Sequence, residues 1–462
     1  MLGRHFHVCQ DTHRRFVIDS PPASVRRVGW FTAVCVLVSN IIGGGVFTTT
    51  GFLARDIGDP LAILSLWMVG AVLAVAGAMT YAELGSALPH AGGDYVYLKK
   101  AYGPVVGFLS GWTSFTIGFS AAIAASSVSF ASYLLRAIRV GEDERAPIVL
   151  LALTLVWSLT ALHAQGLYVG SWVQRLVTTV KVLAIAVFII GGLWTTTSRW
   201  GQLAIDPHPS LEPGATAVAL IFIVYCYLGW NVAGYIASEI EQPSRLLPRI
   251  MIGGTVFVAA VYLTLNVVYL SALPIPALAE PPILPVAEKV AAALWGPTAA
   301  RATAALLAIS IAGAVSAMVW AGPRAYWAMA RDGLWSRWAA DLDPRTQVPA
   351  RAMWLQAVWT SILIVSGSFE QLVVYSGVVL AAFTALTVGA VLVLRQRAPD
   401  LPRPYRAPAY PWLPLGLIVG ALGLVAYSAL NRPAEAAWGL LTVLAGLPLY
   451  WWWRRSTDLP GP

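Results

Sequence analysis

The chain has 462 residues, of which 58% are hydrophobic and only 11% are charged, and its mean hydropathy is +0.69. A water-soluble protein of this length needs more polar surface, so the composition excludes a soluble globule and predicts a protein embedded in lipid. The net charge of +8 could indicate nucleic-acid binding. The basic residues are scattered over alternate loops and form no stripe, however, which favours a membrane protein with positive inner loops.

Runs of about 18 or more apolar residues predict an all-α membrane protein of about twelve helices. In chain order these helices lie near 30–54, 61–88, 104–136, 147–165, 172–195, 214–240, 250–273, 299–331, 350–367, 370–395, 412–430 and 436–453. The chain divides into a tail at 1–28, a core of helices one to ten at 29–398, peripheral helices eleven and twelve at 399–455 and a second tail at 456–462. The first tail is polar and lacks the apolar run of a cleaved signal peptide, so we expect helix one to be retained.

The first predicted helix contains the consecutive glycines Gly43, Gly44 and Gly45. Each glycine costs about 1 kcal/mol of helix propensity relative to alanine, so we expect the helix to unwind there. Free N–H groups at such a break, with the positive end of a half-helix dipole behind them, bind an anionic group such as a carboxylate. Close packing of helices is the alternative reason for small residues at this point.

The fifth predicted helix carries Lys181, about two turns from Arg175, and no other charge lies in its middle. A lone ammonium at membrane depth costs several kcal/mol unless it has partners. We expect Lys181 to lie against the carbonyls freed at the first break, as a fixed cation in place of sodium or as part of a proton-coupled step. Extension to the cytoplasmic interface is the alternative.

The sixth predicted helix contains a second glycine-marked break at Leu228, Gly229, Trp230 and Asn231. It lies five helices after the first break, which is the spacing expected of a five-plus-five inverted repeat. Carbonyls left unpaired here would accept hydrogen bonds from an ammonium group. A zwitterionic amino acid would satisfy both breaks, whereas a sugar or a metal ion would satisfy only one. Tyr225 precedes the break and could cover a bound molecule as a gate, or could belong to the core.

Small residues on two other helices complete the predicted site. Ala122 and Ser126 on helix three and Ser316 on helix eight could face the cavity, or could serve helix packing. Glu83, Glu239 and Glu241 fall near helix ends, where we expect pairing with arginine or helix capping rather than a gate or a proton relay. The buried stretches of helices one, three, six, eight and ten contain no carboxylate that would neutralise a cationic substrate, which favours neutral substrates.

The charge distribution predicts orientation, because cytoplasmic loops are enriched in lysine and arginine. With the N-terminus inside, roughly 21 of the 30 Lys and Arg residues lie on the inner side, so both termini are expected in the cytoplasm. Cys9, Cys35 and Cys226 give neither a disulfide framework nor metal-ligand spacing, and no cofactor is predicted. The proline-rich connections 196–213 and 271–289 are candidates for a short surface helix and a lid, or are plain tethers.

These segments resemble the amino acid–polyamine–organocation (APC) superfamily, most closely its L-type amino acid transporter branch, over most of the chain. The motifs that carry the resemblance are IIGGGVF at 41–47, YAEL at 81–84, PHAGGDYVYL at 89–98, AYG at 101–103, YCYLGWN at 225–231, EIEQP at 239–243, and Arg324 followed by ARDG at 330–333.

The resemblance implies a LeuT-like fold with broken helices one and six. The substrate carboxylate would meet the N–H groups of Gly44 and Gly45, and Tyr225 matches the family's gating aromatic. Lys181, with Ser316, is the predicted coupling position, because Lys181 matches a helix-five lysine of sodium-independent members. The ammonium would meet the carbonyls of Ile41, Tyr225 and Leu228. The full predicted substrate-binding set is Ile41, Gly43, Gly44, Gly45, Tyr225, Leu228, Asn231, Ala122 and Ser126.

The resemblance also implies an activity, namely sodium-independent transport of neutral L-amino acids by exchange or proton coupling, through alternating access in a plasma membrane such as a bacterial inner membrane. Proton-coupled uptake of a cationic amino acid or polyamine is the alternative. A membrane enzyme or a receptor is a further class, but the histidines lie in tails, loops or helix ends and no signalling domain is appended. Two positions depart from the family pattern: Gly44 replaces a common serine, and Asn231 replaces the glutamate of arginine/agmatine exchangers. The loop 136–147 has no cysteine, so no disulfide-linked heavy subunit is expected.

Overall fold

The computed structural model describes residues 27–140, 144–196, 212–281, 285–367, 369–431 and 433–457. Most of the predicted tail at 1–28 and most of the one at 456–462 lie outside these residues, as does most of the connection 196–213. In the described part of the chain the secondary structure is helical, apart from an isolated bridge between Val28 and Ile240.

The first half of the chain forms the helices α1 (Trp30–Ile41), α2 (Thr49–Asp56), α3 (Pro60–Ala87), α4 (Asp94–Tyr102), α5 (Pro104–Thr113), α6 (Ser120–Ile138), α7 (Arg145–Ala164), α8 (Leu167–Thr196), α9 (Pro213–Tyr227) and α10 (Val232–Tyr235). The second half forms α11 (Pro243–Ala272), α12 (Ile275–Ala279), α13 (Val286–Trp295), α14 (Pro297–Arg331), α15 (Ala350–Ser366), α16 (Phe369–Arg397), α17 (Trp412–Asn431), α18 (Pro433–Leu444) and α19 (Gly446–Thr457).

Eight helical segments in the described residues are long and apolar enough to cross a membrane. They are α3, α5 continued through a π-helical turn into α6, α7, α8, α11, α14, most of α16, and α17. The protein is therefore an integral membrane protein. The count of twelve spans and the inverted repeat stay predictions. The first, sixth and twelfth predicted helices are each divided into pieces too short to qualify, and the ninth, α15, has only 17 residues.

Both interruptions occur where glycine predicted them. Helix α1 ends at Ile41, and a short 3-10 turn at Gly45–Phe47 precedes α2. Helix α9 ends at Tyr227, and α10 begins at Val232. Between them Gly229 has a φ of +122°, which side-chain-bearing residues rarely adopt, so this break requires glycine.

The helices also differ from the prediction in two places. The helix α4 between α3 and α5 was not predicted, because Asp94 and two lysines make this short stretch too polar to be recognised as an apolar run, although one of its faces is buried. The predicted helix 436–453 is two helices, α18 and α19, separated at Ala445. Pro448 explains this division, because it cannot donate a hydrogen bond to the carbonyl four residues earlier and its ring crowds that turn.

The core lies around α14. In the most apolar stretch of this helix, 72% of the residues are buried. This helix packs against α1, α6, α8 and α13, and its Ala314 and Met318 reach the wall of the central cavity. By contrast only 6% of the corresponding stretch of α17 is buried, so α17 lies at the edge of the helical assembly. The broken helices are therefore held near the centre.

Candidate functional site

The two helix breaks touch each other. The Asn40 side chain at the end of α1 donates a hydrogen bond to the Gly229 carbonyl at 3.2 Å. A Cβ atom on Gly45 would lie 2.7 Å from the sulfur of Cys226, and one on Gly229 would lie 2.5 Å from Nδ2 of Asn40. Both distances are shorter than real Cβ contacts, so glycine at each break is what allows the two helices to meet.

A cavity of about 270 Å³ lies at this meeting point. Its size is close to the lower end of the roughly 300–1,000 Å³ typical of small-molecule pockets, which suits a compact metabolite. Every predicted substrate-binding residue lies on its wall, namely Ile41, Gly43, Gly44, Gly45, Ala122, Ser126, Tyr225, Leu228 and Asn231. The structure thus brings the predicted set together, and the binding role of each residue remains a prediction.

The first break supplies free donors to this cavity. The N–H of Gly43 donates to the Ile41 carbonyl at 2.9 Å. The N–H groups of Gly44 and Gly45, in contrast, make no backbone hydrogen bond with the described residues. Unpaired N–H groups at the end of an interrupted helix are the usual way that proteins hold an anionic group without a buried cation.

The acceptors are fewer than the family resemblance implies. The Ile41 carbonyl already accepts hydrogen bonds from Gly43 and from the Tyr262 hydroxyl at 2.8 Å, so both of its lone pairs are used. The Tyr225 carbonyl accepts one bond, from Leu228 at 3.1 Å. No donor to the Leu228 carbonyl is found among the described residues, which leaves Leu228 and one lone pair of Tyr225 available to an ammonium group.

Lys181 lies where the sequence predicted it, beside the first break. Its side chain is fully buried, and its Nζ donates to the Ile42 carbonyl at 2.7 Å, to the Ser39 carbonyl at 3.1 Å and to the Ser39 hydroxyl at 3.2 Å. It does not extend to the membrane interface. The ammonium therefore satisfies carbonyls that the end of α1 leaves unpaired.

Ser316 lies apart from the cavity, in a buried polar cluster with helices α7 and α8. Its hydroxyl contacts His163 Nε2 at 2.8 Å and donates to Gln174 Oε1 at 2.7 Å. Lys181 packs instead against Gly313, one turn earlier on α14, where an added Cβ would lie 3.2 Å from its side chain. Ser316 and Lys181, which were predicted to act together, therefore do not contact each other directly. His163, placed by the sequence at a helix end, is only 2% exposed.

Two of the three glutamates near helix ends pair with arginine, as predicted, whereas Glu241 is exposed and forms no ion pair with the described residues. Glu239 accepts from Arg324 at 2.7 Å, and both side chains are almost fully buried. Glu83 pairs with Arg395 at 2.6 Å and also accepts from the backbone N–H of Ala407 at 2.7 Å. These carboxylates are committed to structural ion pairs outside the cavity wall.

Asp94 is a cavity residue that the sequence did not predict. It begins α4, and its Oδ2 accepts hydrogen bonds from Asn231 at 3.1 Å and from the Tyr235 hydroxyl at 3.0 Å. Burial raises the pKa of Asp94 to about 6, although the hydrogen bonds from Tyr235 and Asn231 favour the charged form. The prediction that helices one, three, six, eight and ten supply no carboxylate did not consider α4, whose first residue places one on the cavity wall.

A pair of glycines is the signal in the sequence that could have identified this residue. Gly92 and Gly93 directly precede Asp94, and in the structure both have positive φ. The Gly92 N–H donates to the Tyr235 carbonyl at 3.1 Å, and a Cβ on Gly93 would lie 2.6 Å from the Tyr235 ring. A glycine pair before a carboxylate thus marks a loop that packs closely against another element.

The chain is similar in sequence to known amino acid transporters over most of its length. The amino acid permease family model matches residues 28–445. The serine/threonine exchanger SteT of Bacillus subtilis (strain 168) is 29% identical over 435 residues, which cover 93% of this chain and 97% of that protein. The b(0,+)-type amino acid transporter 1 of Mus musculus is 27% identical over 432 residues, which cover 92% and 87%. The large neutral amino acids transporter small subunit 2 of Homo sapiens is 28% identical over 445 residues, which cover 93% and 81%.

Proposed function

The chain belongs to the amino acid permease family, and on that basis we propose that it is a sodium-independent exchanger of neutral L-amino acids that works by alternating access. Membership confirms the resemblance to the APC superfamily and its L-type branch that the motifs indicated. The observation that carries the proposal is the meeting of two broken helices at one cavity of metabolite size.

The cavity offers complementary ends to a zwitterion. The free N–H groups of Gly44 and Gly45 suit a carboxylate, and the available carbonyls of Leu228 and Tyr225 suit an ammonium group. Because backbone groups at both ends would hold the common part of every α-amino acid, the side chain would be selected by the rest of the wall. Tyr225, which is 42% exposed beside the break, is the proposed gate.

The contacts of Lys181 support the proposed sodium independence. A sodium ion at the first break would need oxygen ligands such as the carbonyls of Ser39 and Ile42, and the lysine ammonium already occupies them. A fixed charge in this place does not leave with each transport cycle. The proposal therefore predicts that replacing sodium by potassium leaves transport unchanged.

Exchange is the proposed mode, supported by a relative that is a serine/threonine exchanger. The test is uptake of labelled serine, threonine, alanine and leucine by the purified chain in proteoliposomes, with and without an unlabelled amino acid inside. Uptake should require the internal amino acid and should not respond to sodium. Protein-free liposomes are the control, and failure to carry any amino acid at any pH or ion composition contradicts the proposal.

A cationic amino acid is the second candidate substrate, because Asp94 places a carboxylate on the cavity wall. Competition by arginine and lysine against labelled threonine decides between the two. A cationic substrate would require inhibition by arginine that Asp94→Asn removes, whereas a neutral one predicts little inhibition in either protein.

The arrangement in the membrane is also a proposal. We infer twelve spans with a LeuT-like inverted repeat, helices eleven and twelve at the periphery, and both termini in the cytoplasm of a bacterial inner membrane. The chain is proposed to act without a disulfide-linked heavy subunit. Cys35 and Cys226, the cysteines in the described residues, are both buried. Labelling of single cysteines added at either end, in intact and opened cells, tests the orientation.

A further inference from the structure

Asp94 is the single carboxylate among the described residues that line the cavity. Its two oxygens differ. Oδ2 accepts the hydrogen bonds from Asn231 and Tyr235, whereas Oδ1 is shielded from solvent and accepts none. A buried carboxylate oxygen without a donor is unfavourable. A proton on Oδ1 would relieve this and would leave both hydrogen bonds to Oδ2 in place.

A role as the cap of α4 does not explain Asp94. The N–H groups in the first turn of α4 already have acceptors in the preceding glycines: Tyr95 donates to the Gly92 carbonyl at 3.3 Å and Val96 to the Gly93 carbonyl at 3.0 Å. The Asp94 side chain makes no capping hydrogen bond. Its carboxylate is directed at α10 instead.

Among the groups that face one another around Asp94, only Asp94 is expected to titrate near neutral pH. Tyr81 of α3, Tyr97 of α4 and Tyr235 of α10 are phenols, which ordinarily lose a proton near pH 10. Thr387 of α16 contributes a hydroxyl nearby. Within the described chain no cation forms an ion pair with Asp94. The hydroxyls of Tyr81 and Thr387 lie close enough to favour the charged carboxylate, but neither makes a hydrogen bond to Oδ1.

Charged side chains on the neighbouring elements have partners of their own. The pairs are Glu83 of α3 with Arg395 of α16, Glu239 after α10 with Arg324 of α14, and Lys99 of α4 with Asp332. None of these pairs includes Asp94, so its charge is compensated mainly by the two hydrogen bonds from Asn231 and Tyr235.

We propose that Asp94 is a proton-binding site of the cavity and that its charge controls the position of α10. The inference rests on the proposed transport function. A proton from water on the α4 side of the membrane adds to Oδ1 and gives a neutral carboxylic acid, and no other bond changes. Hydrogen bonds to a carboxylate are about twice as strong as those to a neutral acceptor, so protonation weakens the attachment of α10. The pKa of about 6 that burial gives Asp94 places this change within the physiological range.

The test measures exchange at symmetrical pH in proteoliposomes, from about pH 5 to about pH 8. Wild type should exchange several-fold faster at the acidic end, with a midpoint near 6, because α10 moves more freely when Asp94 is neutral. Asp94→Asn mimics the protonated acid, since its amide oxygen can accept both hydrogen bonds. It should exchange at the acidic wild-type rate at every pH.

Two further variants separate titration from structural damage. Tyr235→Phe keeps the ring that packs on Gly93 and removes one donor to the charged carboxylate. Its midpoint should rise by about 1 pH unit. Tyr97→Phe is the matched control, because its hydroxyl is buried on the same side of the molecule and makes no hydrogen bond. Its midpoint should equal that of wild type.

Infrared difference spectra give a readout that does not depend on transport. The C=O band of a protonated carboxylic acid should appear as the pH of the wild-type protein is lowered through about 6, and should be missing in Asp94→Asn. A flat wild-type profile together with no titrating band overturns the inference, as does an unchanged pH profile in Asp94→Asn. A band that titrates in a protein that exchanges no amino acid would instead overturn the proposed function.

Discussion

Replacing Lys181 by methionine tests whether the buried ammonium maintains the break in helix one. Methionine has nearly the same length and removes the charge together with three hydrogen bonds, two to backbone carbonyls and one to the Ser39 hydroxyl. Each buried carbonyl left without a donor costs about 1–3 kcal/mol. The end of α1 should therefore be destabilised by about 2–6 kcal/mol.

The net effect on folding should be smaller than this local effect. Burying a lone ammonium at membrane depth costs several kcal/mol, and methionine does not carry that cost. We expect the thermal midpoint of Lys181→Met to change by only a few degrees. Exchange should fall at least tenfold. A loss of about 1.4 kcal/mol in the stability of the conformation of the break that supports transport already lowers its population tenfold.

A matched control lies one turn away on the same helix. Thr178 donates to the Cys35 carbonyl of α1 at 3.2 Å and accepts from Gln174 of its own helix at 3.3 Å. Thr178→Val therefore removes one hydrogen bond between the same two helices, away from the break, and one within α8. Its exchange rate should stay within about fivefold of wild type, since the bond between the helices contributes about 1 kcal/mol. Counterflow in proteoliposomes and thermal unfolding in detergent measure both variants. If Lys181→Met exchanges as fast as Thr178→Val, the ammonium has no special role at the break.

Two other predictions concern close packing and a buried ion pair. Gly45→Ala should reduce exchange at least tenfold, because its Cβ would lie 2.7 Å from the sulfur atom of Cys226. Gly44→Ala should lose far less exchange, because its Cβ would make an ordinary contact at 3.5 Å. Equal counterflow rates in the two variants would contradict this prediction. Glu239→Gln should destabilise the protein by about 3–5 kcal/mol, because Arg324 remains buried without a counter-charge. Thermal unfolding should show this loss but no shift for Asp341→Asn, whose side chain is 74% exposed.

The sequence predicted the parts of the site that depend on local backbone chemistry. Consecutive glycines at Gly43 to Gly45 and the glycine at 229 predicted both breaks, because glycine in a spanning helix is unfavourable unless the helix unwinds. The position of Lys181 was predictable for a similar reason, since an ammonium in a span needs carbonyl partners. Periodicity and hydropathy placed most helices within a few residues of their observed bounds.

What the sequence could not supply depends on contacts between distant segments. Asp94 lies in a polar stretch that hydropathy assigns to a loop, and only packing against Tyr235, 141 positions away, brings it to the cavity. Ser316 faces a neighbouring helix rather than the cavity, because rotation about a helix axis is set by tertiary packing that small residues do not specify. The use of both Ile41 lone pairs is likewise visible only in three dimensions.

The two breaks are held by chemically different contacts, and the difference bears on which one moves. The first is held by Lys181, which lies within a span and donates hydrogen bonds to the carbonyls of Ser39 and Ile42. The second is followed by α10, which is held by three contacts. Asp94 accepts a hydrogen bond from the Tyr235 hydroxyl, and the Gly92 N–H donates to the Tyr235 carbonyl. Glu239, just after α10, forms an ion pair with Arg324. Of these attachments only the one at Asp94 changes with pH near neutrality. On the proposed mechanism, the proton-controlled movement at Asp94 therefore belongs to the half of helix six that follows Gly229.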